Sequence, residues 1–224
     1  MPVWSDFQIH AIQERYDRIA PYHWLLERLY FVPPGSRKRV VAQLKPSPGD
    51  HVLEIGCGTG PNLPLLSRAV GPQGRVYAVD LSEGMLVRAR ARCRSLSNVD
   101  FIQRDALNFT APVPLDIVLF SLSYNTIPHH AAVLSHAWRQ LKPCGRLAIM
   151  DAKLPDGHLG KIILPSILSL MRHTVIANPM IRPWEELQKL AGSIEMTPLL
   201  FSYHICLATK QQQDDTIHRS ATYC

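Results

Sequence analysis

The chain has 224 residues, 46% of them hydrophobic and 19% charged, which is the composition of a globular protein large enough to bury a core. The N-terminus lacks the basic start and apolar run of a signal peptide, and no stretch reaches the roughly 18 apolar residues of a membrane span. Five cysteines without a C-x-x-C pair argue against a disulfide framework or a metal site. A cytoplasmic location is therefore expected. The formal charge of +6 permits an anionic partner without requiring one.

The N-terminal part of the chain is predicted to be helical. Apolar residues recur at helical spacing over residues 6–30, and the segment "GSRKRVVAQL" predicts a further helix with Ser36 as its N-cap. We assign residues 1–45 to a helical lid or substrate cap. At the other end of the chain, the polar composition of residues 211–224 predicts a flexible tail.

From residue 50 onwards, short β-rich runs alternate with helical runs. The predicted strands of this part are "HVLEI", "RVYAV", "VDFIQ", "DIVLF" and "GRLAIM". Such alternation predicts a parallel sheet with helices on both faces. Two later strands, "IEMTPLLF" and "YHICLA", are separated by too few residues for a crossover and are predicted to pair antiparallel.

Three glycines follow the first predicted strand, in "EIGCGTGPN". Glycine favours a sharp turn and the close approach of a ligand to the backbone. The spacing does not fit the dinucleotide fingerprint, because Pro61 and Leu63 stand where its last glycine would fall. Asp80 ends the second strand, where a carboxylate can accept two ribose hydroxyls. Asp105 follows the third strand, within reach of an adenine amino group.

Five segments, in a fixed order and spacing, resemble the class I S-adenosylmethionine-dependent methyltransferases over about residues 14–210. They are "VLEIGCGTG", "VYAVDLSEGML", "FIQRDALNF", "LDIVLFSLSYNTIP" and "AWRQLKPCGRLAIMD". The resemblance implies an α/β Rossmann-like fold over residues 46–210, with a seven-stranded sheet, an antiparallel last strand and an N-terminal helical lid. It also implies S-adenosyl-L-methionine as cofactor and S-adenosyl-L-homocysteine as product.

The resemblance further implies which residues bind the cofactor. Glu54 would hold the ammonium group, Asp80 the ribose and Asp105 the adenine edge. The full set is Glu54, Gly56, Cys57, Gly58, Gly60, Asp80, Leu81, Met85, Asp105, Ala106, Ser121 and Leu122.

Four residues are candidates for contact with the methyl acceptor. Tyr16 and Tyr124 are aromatic groups expected near the sulfonium, where they would suit a cationic product. His129 and His130 follow the fourth strand, and either could deprotonate an acceptor. As alternatives, the tyrosines pack the N-terminal helices onto the domain, and the histidines begin the next helix in solvent.

The details of the match resemble the bacterial phospholipid and betaine-lipid headgroup N-methyltransferases, and more broadly the quinone-biosynthesis methyltransferases. The main prediction is N-methylation of an amine headgroup, of the phosphatidylethanolamine or homoserine-lipid type. The alternative is a soluble small-molecule O- or C-methyltransferase acting on a natural product or quinone precursor. A nucleic-acid partner is not expected, because alternate arginines from 88 to 94 divide between two faces of a helix.

A possible membrane contact is predicted in an insert over residues 152–183. Residues 161–172 carry an amphipathic pattern typical of a helix in a bilayer interface, and residues 37–39 form a basic cluster that would attract anionic lipid. As an alternative, the same apolar stripe packs on the sheet or covers a pocket as a lid.

Overall fold

The computed structural model describes residues 9–152, 174, 177–178 and 180–212. The predicted amphipathic helix over 161–172, most of the insert over 152–183 and residues 213–224 of the predicted tail lie outside the described residues. The domain boundaries proposed from the sequence therefore stay a prediction.

Helices and strands alternate along the described chain from residue 51 onwards. The strands are β1 His51–Ile55, β2 Arg75–Asp80, β3 Val99–Gln103, β4 Leu115–Ser121, β5 Leu141–Ala152, β6 Glu195–Pro198 and β7 Tyr203–Thr209. The helices are α1 Ile9–Ile19, α2 His23–Leu29, α3 Ser36–Leu44, α4 Leu63–Val70, α5 Glu83–Arg92, α6 His130–Gln140 and α7 Pro183–Ala191.

The strands form one seven-stranded sheet in the order β3-β2-β1-β4-β5-β7-β6. Strands β1 to β5 run parallel, and β7 pairs antiparallel with both β5 and β6. The predicted fold, with its antiparallel last strands, is therefore confirmed. The strand order reverses direction between β1 and β4, and this switch point is where ligands bind in open α/β sheets.

The sheet is buried on both faces because successive side chains of each strand point to opposite sides. Along β4, Ile117 and Leu119 belong to the core that contains residues of α3, α4 and α5. Val118 and Phe120 belong to the core that contains residues of α6 and α7. This double burial explains why the strands read as nearly continuous apolar runs.

The start of α3 differs from the sequence prediction. Gly35, not Ser36, is the N-cap residue, with a φ of 76°. Glycine adopts this left-handed conformation without steric cost, so the chain turns there. Ser36 is the first helical residue, and its buried hydroxyl has no hydrogen-bond partner among the described residues. By contrast, Ser82 is the N-cap residue of α5, and its hydroxyl accepts a hydrogen bond of 3.1 Å from the amide of Met85.

Helix α1 is fastened to the N-terminus of α5 by one carboxylate. Oδ1 of Asp17 accepts hydrogen bonds from the Ser82 hydroxyl at 2.6 Å and from the Gly84 amide at 2.8 Å. A Cβ at Gly84 would lie 3.1 Å from the backbone of Asp17. Glycine at this position therefore allows the two helices to approach.

We expect Asp17→Ala to lower the free energy of unfolding by about 1–3 kcal/mol, because it leaves the Ser82 and Gly84 donors without their charged acceptor. Asp17→Asn keeps an acceptor oxygen in the same place and is expected to lose less. Urea denaturation of both variants measures the difference. Equal losses in the two variants would show that the carboxamide oxygen cannot replace this contact.

Candidate active site

One cavity of about 540 Å³ opens at the carboxyl ends of the parallel strands. Its wall comes from the segments that follow β1, β2, β3, β4 and β5, and from residues of α1 and α2. The volume is in the range of small-molecule sites, about 300–1,000 Å³. The N-terminal helices therefore contribute to the wall of the cavity at the switch point of the sheet, and their role as a lid stays a prediction.

The glycines after β1 are required for different reasons. A Cβ at Gly56 would lie 2.4 Å from Cβ of Ser123, and one at Gly60 would lie 3.0 Å from Cβ of Ala89. These two glycines let neighbouring segments pack against the loop. Gly58 has open space where a Cβ would stand, but its φ of 56° is a left-handed conformation that other residues rarely adopt.

Asp80 ties the glycine loop to the end of β2. Its carboxylate accepts hydrogen bonds from the amide of Gly58 at 2.7 Å and from the amide of Ser82 at 2.9 Å. Burial raises the pKa of Asp80 to about 6, although these amide hydrogen bonds lower it. The carboxylate lines the cavity and keeps lone pairs free for ligand hydroxyls.

Glu54 and Asn62 form a buried pair beside the glycine loop. Nδ2 of Asn62 donates a hydrogen bond of 2.6 Å to Oε1 of Glu54. Oε2 of Glu54 and Oδ1 of Asn62 have no hydrogen-bond partner among the described residues. Burial raises the pKa of Glu54 to about 7. Two unsatisfied acceptors, one of them ionisable, fit the ammonium group of a bound S-adenosylmethionine.

A charged cluster from α2 and α3 lies in the same cavity. Nη2 of Arg37 donates a hydrogen bond of 2.7 Å to Oε1 of Glu27, and Nδ1 of His23 lies 3.4 Å from the same oxygen. Burial lowers the pKa of His23. The buried Nε of Arg37 has no partner among the described residues, so it can donate to an anionic group such as a carboxylate.

Most of the residues predicted to bind the cofactor line this cavity. They are Gly56, Cys57, Gly58, Asp80, Leu81, Met85, Asp105, Ala106, Ser121 and Leu122. Glu54 and Gly60 lie behind the wall, and Asn62 stands where Glu54 was expected to face the ligand. Asp105 also caps the turn that follows it, because its Oδ1 accepts a hydrogen bond of 3.0 Å from the amide of Leu107.

A further carboxylate, Asp151, lies in β5, which is two strands from β1 and its glycine loop. It lines the cavity at the end of β5 and accepts hydrogen bonds from the amides of Ala152 at 2.8 Å and Asn125 at 3.2 Å. Burial raises the pKa of Asp151 to about 6. The hydroxyl of Tyr16 is hydrogen-bonded to the side chain of Thr126 and is close enough to Asp80 and Asp151 to feel both charges.

Three of the four predicted acceptor-contacting residues lie outside the cavity wall. Tyr124 is fully buried and donates a hydrogen bond of 2.5 Å to Oε2 of Glu186. Nε2 of His130 lies 3.1 Å from Oε1 of the same carboxylate. His129 is the N-cap residue of α6. Tyr16 alone of the four lines the cavity.

Local sequence signals existed for two of the cavity residues that the sequence analysis did not name. Asp151 ends "GRLAIMD" as Asp80 ends "RVYAVD", so both carboxylates follow parallel strands whose carboxyl ends meet at one edge of the sheet. Asn62 closes the glycine segment. No local pattern placed Arg37 in the cavity, because the fold of α2 and α3 over the sheet decides where it points.

The fold and this cavity define the class of protein. Three features form the architecture of the class I S-adenosylmethionine-dependent methyltransferases. They are the strand order, the antiparallel β7 and the glycine loop followed by two acidic strand ends. Residues 52–145 match the family model described as a methyltransferase domain, and the predicted resemblance to the S-adenosylmethionine-dependent methyltransferases is therefore confirmed.

Known proteins show the same relationship. The chain is 28% identical to a demethylmenaquinone methyltransferase of Lactobacillus johnsonii, over 67% of the chain and 64% of the relative. It is 33% identical to a 2-phytyl-1,4-naphtoquinone methyltransferase of Synechococcus elongatus, over 65% of both chains. The chain thus spans less than two thirds of the length of these relatives.

A solved structure with a similar fold is that of Haemonchus contortus phospholethanolamine N-methyltransferase 2, in complex with phosphomonomethylethanolamine and S-adenosylhomocysteine. The TM-score is 0.72 at 18% identity, over 92% of this chain and 60% of that one. At this identity the likeness concerns the fold. Within the part of the chain that the structure describes, no helix has the length and apolar character needed to cross a bilayer.

We expect Glu54→Gln to stabilise the ligand-free protein and to weaken cofactor binding. A carboxyl whose pKa is raised from 4.5 to about 7 contributes stability below pH 4.5 that is lost as the pH rises through 7. The variant should therefore gain on the order of 1–3 kcal/mol over the parent at pH 8 and little at pH 5. Urea unfolding at both pH values measures this gain.

Isothermal titration calorimetry with S-adenosylhomocysteine should show affinity for the same variant at least about tenfold lower at pH 8, since the negative charge that backs Asn62 near the ammonium group is lost. A stability difference that does not change with pH would mean that Glu54 titrates normally. Unchanged affinity would mean that the ammonium binds elsewhere.

Proposed function

We propose that the chain transfers a methyl group from S-adenosylmethionine to a ring carbon of a lipophilic quinol of the naphthoquinol type. The observation that carries this proposal is the apolar arm of the cavity, which leads from the cofactor residues to the N-terminal helices. The names of the curated relatives support the acceptor class, since they describe methyltransferases of demethylmenaquinone and of a phytyl naphthoquinone.

The apolar arm is lined by side chains that suit a hydrocarbon tail or a ring. They come from α1, from α2 and the segment after it, and from the segment after β4: Ile9, Ile12, Leu26, Leu29, Tyr30, Phe31, Val32, Ile127 and Pro128. Ligand pockets combine such an apolar wall with a few placed polar groups. In this cavity those groups are Asp151, Asn125 and Tyr16.

The residues around the glycine loop fit the cofactor. Asn62, backed by Glu54, would meet its ammonium group, Arg37 its carboxylate and Asp80 its ribose hydroxyls. When bound, S-adenosylmethionine supplies a methyl group attached to a positively charged sulfur, and S-adenosylhomocysteine is what remains after the transfer. The chain contributes alignment and exclusion of water, and Tyr16 lines the cavity near both Asp80 and Asp151.

Asp151 is suited to the role of general base. A quinol becomes a carbon nucleophile when its hydroxyl loses a proton, because the negative charge is then shared with the ring. Asp151 lines the cavity at the end of β5, and a carboxylate with a pKa near 6 is ionised at pH 7 while remaining a better base than an exposed one. The hydroxyl proton would pass to Asp151, and the ring carbon would then bond to the methyl group as the bond between that group and sulfur breaks. The proton on this ring carbon would then be lost to water, and Asp151 would return its proton to the ring oxygen.

N-methylation of a lipid amine, the main prediction from the sequence, is the second candidate. Three tyrosines line the cavity, Tyr16, Tyr30 and Tyr203, and aromatic faces suit a methylated cationic product. The curated relatives support the quinone alternative better, and the Haemonchus structure supports the fold alone. The two reactions differ in one testable respect, since a neutral amine needs no base.

We expect Asp151→Asn to lower kcat on a demethylated naphthoquinol by about 10²–10⁴-fold, the contribution typical of a general base. Affinity for S-adenosylhomocysteine should stay within about twofold of the parent, because Asp151 is hydrogen-bonded to the amides of Ala152 and Asn125, which are not among the cofactor residues. Labelled S-adenosylmethionine, with the quinol or with phosphatidylethanolamine in the same detergent, measures the transfer. In the parent, kcat on the quinol should rise with pH through about 6.

If the label appears in phosphatidylethanolamine and not in the quinol, the quinol proposal is wrong and N-methylation of a lipid amine replaces it. Label in the quinol with full turnover of Asp151→Asn would keep the acceptor and remove Asp151 as base.

The histidines that the sequence nominated as bases provide a further test. We expect His129→Asn and His130→Gln to keep turnover on the quinol within about twofold of the parent, because neither side chain lines the cavity. His130→Gln should lower the thermal midpoint, since Glu186 loses a partner. A loss of turnover in folded His129→Asn comparable to that of Asp151→Asn would restore the sequence hypothesis.

A further inference from the structure

Helix α2 turns its polar side chains towards the cavity. A helix advances about 100° per residue, so residues four apart share a face. His23 and Glu27 form one such pair, and Leu26 and Tyr30 form another beside it; all four line the cavity. The inner face of α2 therefore carries both charged and apolar groups.

The opposite side of α2 carries large apolar side chains that are exposed. We define the α2 outer face as Tyr22, Trp24, Leu25, Arg28 and Leu29. The exposed fraction is 59% for Trp24 and 51% for Leu25, and Tyr22 and Leu29 are exposed to a similar degree. Arg28 is the charged residue of this face.

This arrangement differs from that of an ordinary surface helix, which buries its apolar stripe and exposes its polar one, because here a polar pair faces the cavity and large apolar side chains are exposed. Scattered exposed hydrophobic residues are normal, but adjacent ones that form a continuous patch mark an interaction site. In the outer face, Leu25 and Leu29 are one turn apart, and Trp24 and Arg28 are one turn apart beside them. The patch is therefore continuous along the helix.

The chemistry of the patch favours a lipid bilayer as its partner. Tryptophan and tyrosine prefer the boundary between hydrocarbon and headgroups, and arginine can extend from an apolar face to a phosphate. Lys38 and Arg39, on α3 and exposed, add positive charge close in sequence to this helix. Arg37, the third residue of the predicted basic cluster, lies in the cavity and pairs with Glu27. Anionic lipid is the complementary surface.

We propose that the α2 outer face docks on an anionic membrane surface. Leu29 and Phe31 are exposed and also line the cavity, so the docked face adjoins the apolar arm. A lipid-dissolved acceptor would enter there without passing through water. This entry route rests on the proposed function, whereas the docking does not.

The test is co-sedimentation with vesicles, which needs no methyl transfer. The parent chain should sediment with vesicles of phosphatidylglycerol and phosphatidylcholine, and much less with phosphatidylcholine alone. The double variant Trp24→Glu/Leu25→Glu should lower the partition coefficient at least about tenfold, because two apolar side chains that would be buried in lipid are replaced by charged ones. Val113→Glu is the control, because Val113 is exposed and lies just before β4, at the amino ends of the parallel strands. This variant should bind vesicles as the parent does.

Equal binding of the parent and the double variant would overturn the proposal. A second result would also overturn it: the parent binds neither kind of vesicle and sediments in the ultracentrifuge as a dimer, whereas the double variant sediments as a monomer. A second copy of the chain would then cover the α2 outer face. Turnover of the double variant on quinol in detergent should equal that of the parent, because Trp24 and Leu25 do not line the cavity. Inactivity of both proteins, with binding intact, would refute the proposed function and not the docking.

Tryptophan fluorescence gives a second measurement on a folded protein. Anionic vesicles should shift the emission of the parent to shorter wavelength, as Trp24 leaves water. Trp24→Phe keeps the face apolar and should still sediment with the vesicles while losing the shift. A shift of equal size in this variant would place the contact at another tryptophan and contradict docking through α2.

Discussion

One carboxylate, Asp80, joins the parts of the molecule on which the site depends. It accepts the amide of Gly58 in the loop after β1 and the amide of Ser82 at the start of α5. Ser82 in turn donates its hydroxyl to Asp17 in α1. The glycine loop, the second strand and the lid helix are thus held by one continuous set of hydrogen bonds. The cavity keeps its shape because all three walls meet at this point.

The same site carries an energetic cost. Glu54, Asp80 and Asp151 have pKa values raised by burial, which means that each is ionised near neutral pH against a penalty. A ligand that brings a positive charge or hydroxyl donors would relieve that penalty. The protein therefore gives up stability without ligand to gain affinity with it, which is common where function requires buried charge.

How far the sequence predicts such a site depends on whether the signal is local. Asp80, Asp105 and Ser121 end or follow strands, and parallel strands bring their carboxyl ends together, so strand prediction alone places them in the cavity. His129 and His130 also follow a strand, yet neither lines the cavity. The turn after β4 brings His130 to α7, where it pairs with Glu186. Glu186 lies 56 residues from His130 in the chain, and no local sequence pattern predicts a contact over that separation.

The sequence by itself determined the strands, their alternation with helices, the antiparallel end of the sheet and the glycine loop with its acidic partners. These follow from apolar periodicity and backbone conformation, which act within a few residues. Only the tertiary structure decided that Arg37 and His23 line the cavity and that α2 exposes large apolar side chains. The orientation of a helix around its own axis depends on what the sheet and the loops offer it, and that is set by contacts between distant parts of the chain.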